Sequence, residues 1–320
     1  MLTWLVIGVG DITSKRVLPA ILAEERSRLA GIVTRDPAKA APYCVPAFTT
    51  LEAALGESEA AAVYVASPVF LHAPQSIAAL AAQRHVLCEK PMALNLAEAE
   101  RMVAVARASR RTFGVAYYRR AYPKVHRAME LIRRGAIGQP VLAWATCHTP
   151  PIATNSPRSW LLDPARAGGG PLYDIASHRI DILNFFFGEP THADGHLSNV
   201  VHALAVEDSA TVIIEYKNKL RAIVDVRWHS RNERDEFRII GTEGEMDLTP
   251  LNGPALVYPG GHESLPAHSN VHYPCVKNFV DAVLDGAPLL SSGETALWTD
   301  WVTSQAVASN RAHDSRHQWE

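Results

Sequence analysis

Short apolar runs and helical stretches alternate along the first third of the chain. The runs Trp4–Val9, Arg28–Thr34, Ala62–Ala66, His85–Cys88 and Thr112–Val115 are rich in β-branched residues and almost unbroken, which predicts strands buried on both faces. Between them, Ser14–Glu24, Phe70–Ala82 and Ala97–Ser109 place alanine and leucine at helical spacing. This alternation predicts an α/β fold with a doubly wound parallel sheet. After Tyr118 the rhythm changes, to a helix over Val125–Arg134, a strand over Val141–Cys147, a Pro-rich loop and a helix beginning near Leu172. From Thr191 to Val257 successive strands alternate with period two, as in Ala210–Tyr216 and Leu220–Trp228, with Lys217-Asn218 as a turn between them. Helical stretches follow at Tyr273–Leu284 and Gly293–Ala308, and the polar end His313–Glu320 is expected to fray. The organisation expected is a first domain of residues 1–118 and a second, α+β domain of residues 119–320 built on a large, mostly antiparallel open sheet.

Length agrees with two domains, since 320 residues exceed the ~250–300 at which single cores stop growing. Composition is that of a globular chain, 48% hydrophobic and 20% charged. A net charge of −2 with scattered Lys and Arg leaves no basic stripe for a phosphate backbone, so nucleic acid is not an expected partner. The opening MLTWLVIGVG is too short to span a bilayer and lacks the flanks of a signal peptide; it reads as a buried strand, with no membrane partner and a cytoplasmic setting expected. Cys44, Cys88, Cys147 and Cys275 are widely spaced, which favours reduced thiols over a disulfide framework. No metal is expected: there is no zinc-type spacing, and Gly195 between His192 and His196 argues against a helical His pair.

The chemistry begins where the first strand enters Gly8-Val9-Gly10-Asp11-Ile12-Thr13. Glycines at such a bend let the backbone approach a pyrophosphate, which then lies on the amide N–H groups of a helix N-terminus. The third fingerprint position is Thr13, so the motif is weak without its place in a βαβ unit. At the end of the second strand, Thr34-Arg35 stands where an acidic residue would bind the ribose of NAD. An arginine there tolerates a 2′-phosphate, so NADP is expected ahead of NAD. The plainer reading of this segment makes Arg35 a solvated charge and Asp36 the cap of a short helix opened by Pro37. Ala66-Ser67-Pro68 and His72 follow the next strand, on the loop edge where a cofactor cleft would lie; Ser67 reads equally as a helix cap. Strand His85–Cys88 ends in Glu89-Lys90-Pro91, and a lysine fixed there can polarise or protonate a substrate oxygen. After Gly168-Gly169-Gly170, Asp174, His178 and Asp181 fall on one face of a helix, giving the imidazole a carboxylate on either side.

These segments resemble the glucose–fructose oxidoreductase, inositol dehydrogenase and rhizopine catabolism (Gfo/Idh/MocA) family over nearly the whole chain. The resemblance rests on Gly8 and Gly10, on Val63 to Pro68 with His72, and on His85 to Pro91. It continues through Gly135-Ala136-Ile137-Gly138, Ala167 to Asp174 with His178, and Gly241-Thr242-Glu243-Gly244. Ser159-Trp160-Leu161-Leu162-Asp163-Pro164 resembles the W-R-x-x-P stretch of several members, bacterial 1,5-anhydrofructose reductases among them, but with Leu161 where they often carry arginine.

The resemblance implies an N-terminal Rossmann domain and a C-terminal domain whose open sheet mediates homodimer or homotetramer contacts. It also implies that Lys90, Asp174 and His178 surround the site of hydride transfer. The cofactor contacts expected are Gly8, Gly10, Asp11, Ile12, Thr34, Arg35, Ala66, Ser67, Pro68, His72, Glu89 and Lys90. The substrate, a sugar, keto-sugar or cyclitol, is expected to meet Lys90, Tyr118, Arg119, Trp160, Asp174 and His178, with His148 and Asn155 also on the rim and Asp181 supporting His178. Three other readings keep the same fold: a dihydrodiol or xylose dehydrogenase, a glycosidase that uses a tightly held NAD for a transient oxidation, and a dinucleotide-binding regulator without chemistry. The regulator would be marked by loss of the lysine and histidine, and both are present.

Overall fold

The computed structural model describes residues 1–317. By contacts the chain divides into two compact units, Met1–Tyr118 with His268–Leu297, and Arg119–Ala267 with Trp298–Glu320. Where the sequence reading has a single cut after Tyr118, the late segment His268–Leu297 groups with the first unit.

The first unit holds six parallel strands, β1 (Leu2–Ile7), β2 (Ser27–Val33), β3 (Ala47–Phe48), β4 (Ala62–Val65), β5 (His85–Cys88) and β6 (Phe113–Val115), in the order β3-β2-β1-β4-β5-β6. This is the doubly wound order, reversing direction at β1. Side chains of β1 divide strictly by parity. Leu5 and Ile7 enter one apolar layer with Val63, Val65 and Leu80, whereas Leu2, Trp4 and Val6 enter the other with Leu18 and Ile21. Both layers are buried, which is why the strand reads as an unbroken apolar run. The Tyr273–Asp285 helix adds Val276, Phe279 and Val280 to the second layer, with Phe279 5.3 Å from the Trp4 ring. Two elements here were not predicted: the two-residue β3, and a helix over Leu51–Glu57 whose first turn is capped by Thr50 Oγ1 accepting from Ala53 N–H.

The second unit is built on eight strands: β7 (Pro140–His148), β8 (Pro190–Ser198), β9 (Ser209–Tyr216), β10 (Arg221–Arg227), β11 (Arg234–Gly241), β12 (Gly244–Asp247), β13 (Ala255–Tyr258) and β14 (Gly261–Ser264). Their order is β14-β13-β12-β11-β7-β10-β9-β8, antiparallel throughout except for the pair β7–β10. The turn at Lys217-Asn218 is closed by Lys219 N–H donating to the Tyr216 carbonyl at 2.9 Å. The two glycine motifs at Gly138 and Gly241 interlock. A Cβ on Gly241 would fall 2.0 Å from the Ile137 carbonyl oxygen, and one on Gly138 would fall 2.3 Å from Thr242 Oγ1. Glu243 N–H donates to that same Ile137 carbonyl at 3.0 Å, so these motifs fasten a turn to the sheet.

At the far edge, Gly195 and Leu197 of β8 donate their N–H groups to Ser309 Oγ and Asn310 Oδ1 of the Gly293–His317 helix, each at 2.8 Å. The edge is thereby covered rather than left open to pairing. That helix runs to His317; the remaining residues of the polar end expected to fray lie outside the described ones. His192 and His196 lie on β8, and none of the four cysteines forms a disulfide among the described residues. No helix among the described residues is long and apolar enough to cross a membrane.

Candidate active site

In the first unit, β1 runs into a turn that only glycine permits. Gly8 has φ +86°, and a Cβ there would stand 2.8 Å from the Ala66 carbonyl oxygen at the end of β4. Gly10 is the reverse case: a Cβ would meet nothing within 4 Å, so its backbone is bare on an open side. The helix that follows begins with a wide π turn, Thr13–Val17, in which Thr13 is buried at the third fingerprint position. Ser14 N–H is the first to reach back, to the Gly10 carbonyl at 3.0 Å, which leaves the N–H groups of the first turn without intrahelical acceptors. Ile12 is half exposed, and Asp11 is exposed and paired with Lys15. A bare glycine backbone beside first-turn amides is the donor set a dinucleotide pyrophosphate requires, so these residues fit that group.

Thr34 closes a small turn on Asp36, and Arg35 projects into solvent between them. Asp36 caps the short helix at Pro37, accepting from Ala38 N–H at 3.1 Å. After β4, Ser67 Oγ donates to Gln75 Oε1 at 2.6 Å, and Pro68 leads into the next helix.

His72 and Glu89, both expected to touch cofactor, are engaged within the protein. His72 is buried, with Nδ1 2.9 Å from the Pro91 carbonyl and Nε2 2.8 Å from the Ser67 carbonyl. It ties the Ser67 loop to the turn carrying Lys90. Burial draws its pKa down while the two carbonyls oppose. Glu89 accepts from Tyr64 Oη at 2.8 Å and lies 3.3 Å from His272 Nε2. Burial would raise its carboxyl, but His272, Tyr64 and the charge of Lys90 hold it below the ordinary value. The His272 ring also lies tilted against that of Tyr118, with centroids 4.6 Å apart. Lys90 itself is half-buried at the end of β5, and its bond to Pro91 is cis.

The second unit carries Asp174 and His178. The helical segment opens as a π turn, Leu172–Ala176, and continues as an α-helix over Ser177–Phe187. Asp174 lies in the wide turn and His178 at the start of the regular helix, 6% exposed. Glu207 holds the entry to this segment: its two carboxylate oxygens accept from Gly170 N–H at 2.9 Å and Leu172 N–H at 3.1 Å. A Cβ on Gly170 would stand 2.0 Å from the Glu207 carbonyl oxygen, which explains a glycine there. Gly168 has φ +87° and ends the preceding Pro164–Ala167 helix. Burial raises the Glu207 carboxyl, and the two backbone donors oppose it.

Asp181, read from the sequence as support for His178, is instead bound by Arg120. Arg120 Nε lies 3.1 and 3.0 Å from the two carboxylate oxygens and Nη2 2.6 Å from one of them, with the side chains only 2% and 1% exposed. Burial pushes the Asp181 carboxyl up to about 6 against the pull of Arg120. Asp174 Oδ2 accepts from Arg158 Nη2 at 2.6 Å. Arg119 is buried, with Nε donating to Asn252 Oδ1 at 2.9 Å. Trp160 packs on the apolar cluster of Leu161, Ala167, Val206 and Trp228, while Asn155 is exposed in its loop.

His148 departs from the expected rim. It alternates with Cys147 along β7, and it is Cys147 whose surroundings include Arg179, Asp235, Arg119 and Asp174. His148 therefore lies on the opposite face of the sheet, where Nε2 is 2.6 Å from Asp225 Oδ1. Sequence reasoning passed over Arg158, Glu207, Arg120 and His272. Each meets its partner across a gap in the chain that no local spacing reveals.

Residues 2–117 match the oxidoreductase family described by its NAD-binding Rossmann fold, and residues 125–247 match the GFO/IDH/MocA C-terminal domain. Over 97% of each chain the protein is 27% identical to the 1,5-anhydro-D-fructose reductase of Ensifer adhaerens. It is 28% identical to the NADP(+) D-xylose 1-dehydrogenase of Haloarcula marismortui, over 76% of this chain and 71% of that one. Its fold is that of the aldose-aldose oxidoreductase from Caulobacter crescentus, crystallised with glycerol: the TM-score is 0.87 over 98% of each chain at 24% identity. With both halves of the family pattern present in order along one chain, this protein belongs to the Gfo/Idh/MocA oxidoreductase family.

Proposed function

We propose that this chain is an NADP-dependent oxidoreductase that moves hydride between the nicotinamide and a carbinol or carbonyl carbon of a sugar, keto-sugar or cyclitol. The observation that carries the reading is a buried histidine, His178, one turn from Asp174, on a helix inside the segment that matches the family's C-terminal domain. The relatives named as 1,5-anhydro-D-fructose reductase and D-xylose 1-dehydrogenase support a sugar-like substrate, and the second, named for NADP(+), supports that cofactor together with Arg35.

In this proposal Gly8, Gly10, Asp11 and Ile12 hold the pyrophosphate, Thr34 and Arg35 the adenosine end, and Ala66 to Pro68 line the cofactor. The bound dinucleotide supplies the acceptor or donor of hydride. In oxidation His178 takes the proton from the substrate hydroxyl through a ring nitrogen. Lys90 Nζ hydrogen-bonds that hydroxyl oxygen, and Asp174 accepts from a neighbouring hydroxyl. Reduction reverses each step. Residues 1–118 carry the dinucleotide site, and the rest of the chain supplies substrate and oligomer contacts.

The open sheet face, where Trp144 is 40% and Ile213 39% exposed, is the homodimer or homotetramer surface in this reading, tested by light scattering of the purified protein. The function itself is tested by titrating the protein with NADPH and NADH by fluorescence, then assaying sugars, inositols and keto-sugars for turnover. NADPH binding with turnover on a polyol is expected; binding without turnover across the panel would restore the regulator, and no binding would remove the cofactor site.

A further inference from the structure

The Asp174 carboxylate has a partner outside the glycine-led motif that carries it. Leu161, at the position where relatives often carry arginine, is buried among Ala167, Val206 and Trp228 and carries no charge to the site. Arg158, three residues earlier, does: its Nη2 lies 2.6 Å from Asp174 Oδ2. The loop bearing it is folded on itself, with Ser156 N–H donating to the Ala153 carbonyl and Arg158 N–H reaching Ser156 Oγ at 3.3 Å. Arg158 remains 61% exposed, and its Nε and Nη1 have no partner among the described residues.

A guanidinium is a rigid fork of N–H donors, and a carboxylate only accepts. Joined by one short bond, Arg158 and Asp174 set a donor edge beside an acceptor edge. Two adjacent sugar oxygens match this pair: one hydroxyl donates to the carboxylate while its neighbour accepts from the guanidinium. A lone hydroxyl satisfies only half of it.

We propose that Arg158 is a specificity-determining residue that, with Asp174, selects substrates carrying two adjacent oxygens, a vicinal diol or a hydroxy-ketone. This rests on the reading above that Asp174 contacts substrate. Loss of a charge-assisted hydrogen bond reduces affinity about ten-fold or more, enough to distinguish a diol from its deoxy analogue.

The test uses the full chain loaded with NADP+, as wild type, Arg158→Ala and Arg158→Lys. Binding is followed by saturation-transfer NMR with trans-cyclohexane-1,2-diol against cyclohexanol and 1,4-anhydroerythritol against 3-hydroxytetrahydrofuran, pairs in which only the first member carries two adjacent hydroxyls. The wild type is expected to prefer the diol member of a pair by about ten-fold or more. Arg158→Ala removes that preference by weakening the diol alone, Arg158→Lys restores part of it, and NADPH affinity and melting temperature stay as in the wild type. A preference kept in Arg158→Ala, or absent from a wild type that binds the probe ligands, overturns the role of Arg158. A wild type that binds NADP+ but neither these four ligands nor any sugar, keto-sugar or inositol of the turnover panel overturns the sugar-oxidoreductase reading, and Arg158 falls with it.

Discussion

The carboxylate of Glu207 offers a sharp test of how the candidate acid–base helix is held. It accepts two backbone N–H groups, from Gly170 at 2.9 Å and Leu172 at 3.1 Å, at the entry to the segment that carries Asp174 and His178. Hydrogen bonds to a charged acceptor contribute about 1.5–3 kcal/mol each. Water can replace part of this at a half-buried site, so Glu207→Ala is expected to cost about 2–4 kcal/mol. At roughly 2–4 °C per kcal/mol for a unit of this size, the midpoint of thermal unfolding should fall by about 5–15 °C. Glu207→Gln separates charge from shape. Its amide oxygen can serve one N–H, but its NH2 then faces the other, so the loss should be about half that of alanine or more. The turn would also let the helix entry drift, and a displacement of about an ångström at the reacting groups costs on the order of a hundred-fold in kcat/KM. Differential scanning calorimetry and initial rates on whichever polyol turns over supply the two readouts. A Glu207→Gln protein with a midpoint within 1 °C of the parent and unchanged rates would show that the carboxylate does not hold this loop.

Four further outcomes are expected. Replacing His178 by alanine should lower kcat/KM about a hundred-fold or more while NADPH affinity, read by fluorescence, stays put; turnover within a few-fold of the parent would exclude it as acid or base. Arg35→Asp should weaken NADPH and strengthen NADH in the same titration, because a carboxylate repels the 2′-phosphate and accepts from a ribose hydroxyl; an unchanged ratio would leave Arg35 a solvated charge. Asp181→Ala removes the carboxylate that faces the buried Arg120 guanidinium and should cost about 3–5 kcal/mol in urea denaturation, where a change under 1 kcal/mol would contradict a buried ion pair. Lys124, 1% exposed and donating to the carbonyls of Leu248 and Pro250, is drawn by burial from 10.5 to about 8. The native state therefore binds fewer protons than the unfolded one between those values, and stability relative to Lys124→Met should rise with pH across that window, by up to about 3 kcal/mol; a difference flat from pH 7 to 10 would refute the shift.

Much of the fold was legible because its signals are local. The parallel strands were read from length and β-branching, since burial on both faces erases the period of two that would otherwise mark them. What escaped was either too short to leave a pattern, as with β3, or decided by distant packing. The apolar face of the Tyr273–Asp285 helix is plain in the sequence, but nothing in it says that Phe279 will lie against Trp4 of the first strand. His148 shows how narrow the margin is. As a polar residue ending a strand before a loop it reads as rim, yet a shift of one residue along β7 separates it from the face that Cys147 occupies and gives it to Asp225 instead.

The candidate site divides along the same line. Asp174 and His178 can be paired from spacing because four residues of helix fix their separation, and the glycine turn can be read because backbone geometry excludes other residues. The groups that hold those side chains come from farther off: Arg158 is 16 positions from Asp174, Arg120 is 61 from Asp181, and Glu207 is 35 from Leu172. This matters for chemistry as well as for prediction. Had Asp181 supported His178, the imidazole would sit between two carboxylates; with Arg120 bound to both oxygens of Asp181, that negative charge is already balanced. Asp174 in turn is met by a loop arginine, Arg158, at 2.6 Å. The motif residues are legible from the chain alone because one helix or one turn carries them, whereas the partners of Asp174 and Asp181 are not, because a separation of 16 or 61 positions leaves no local pattern to read.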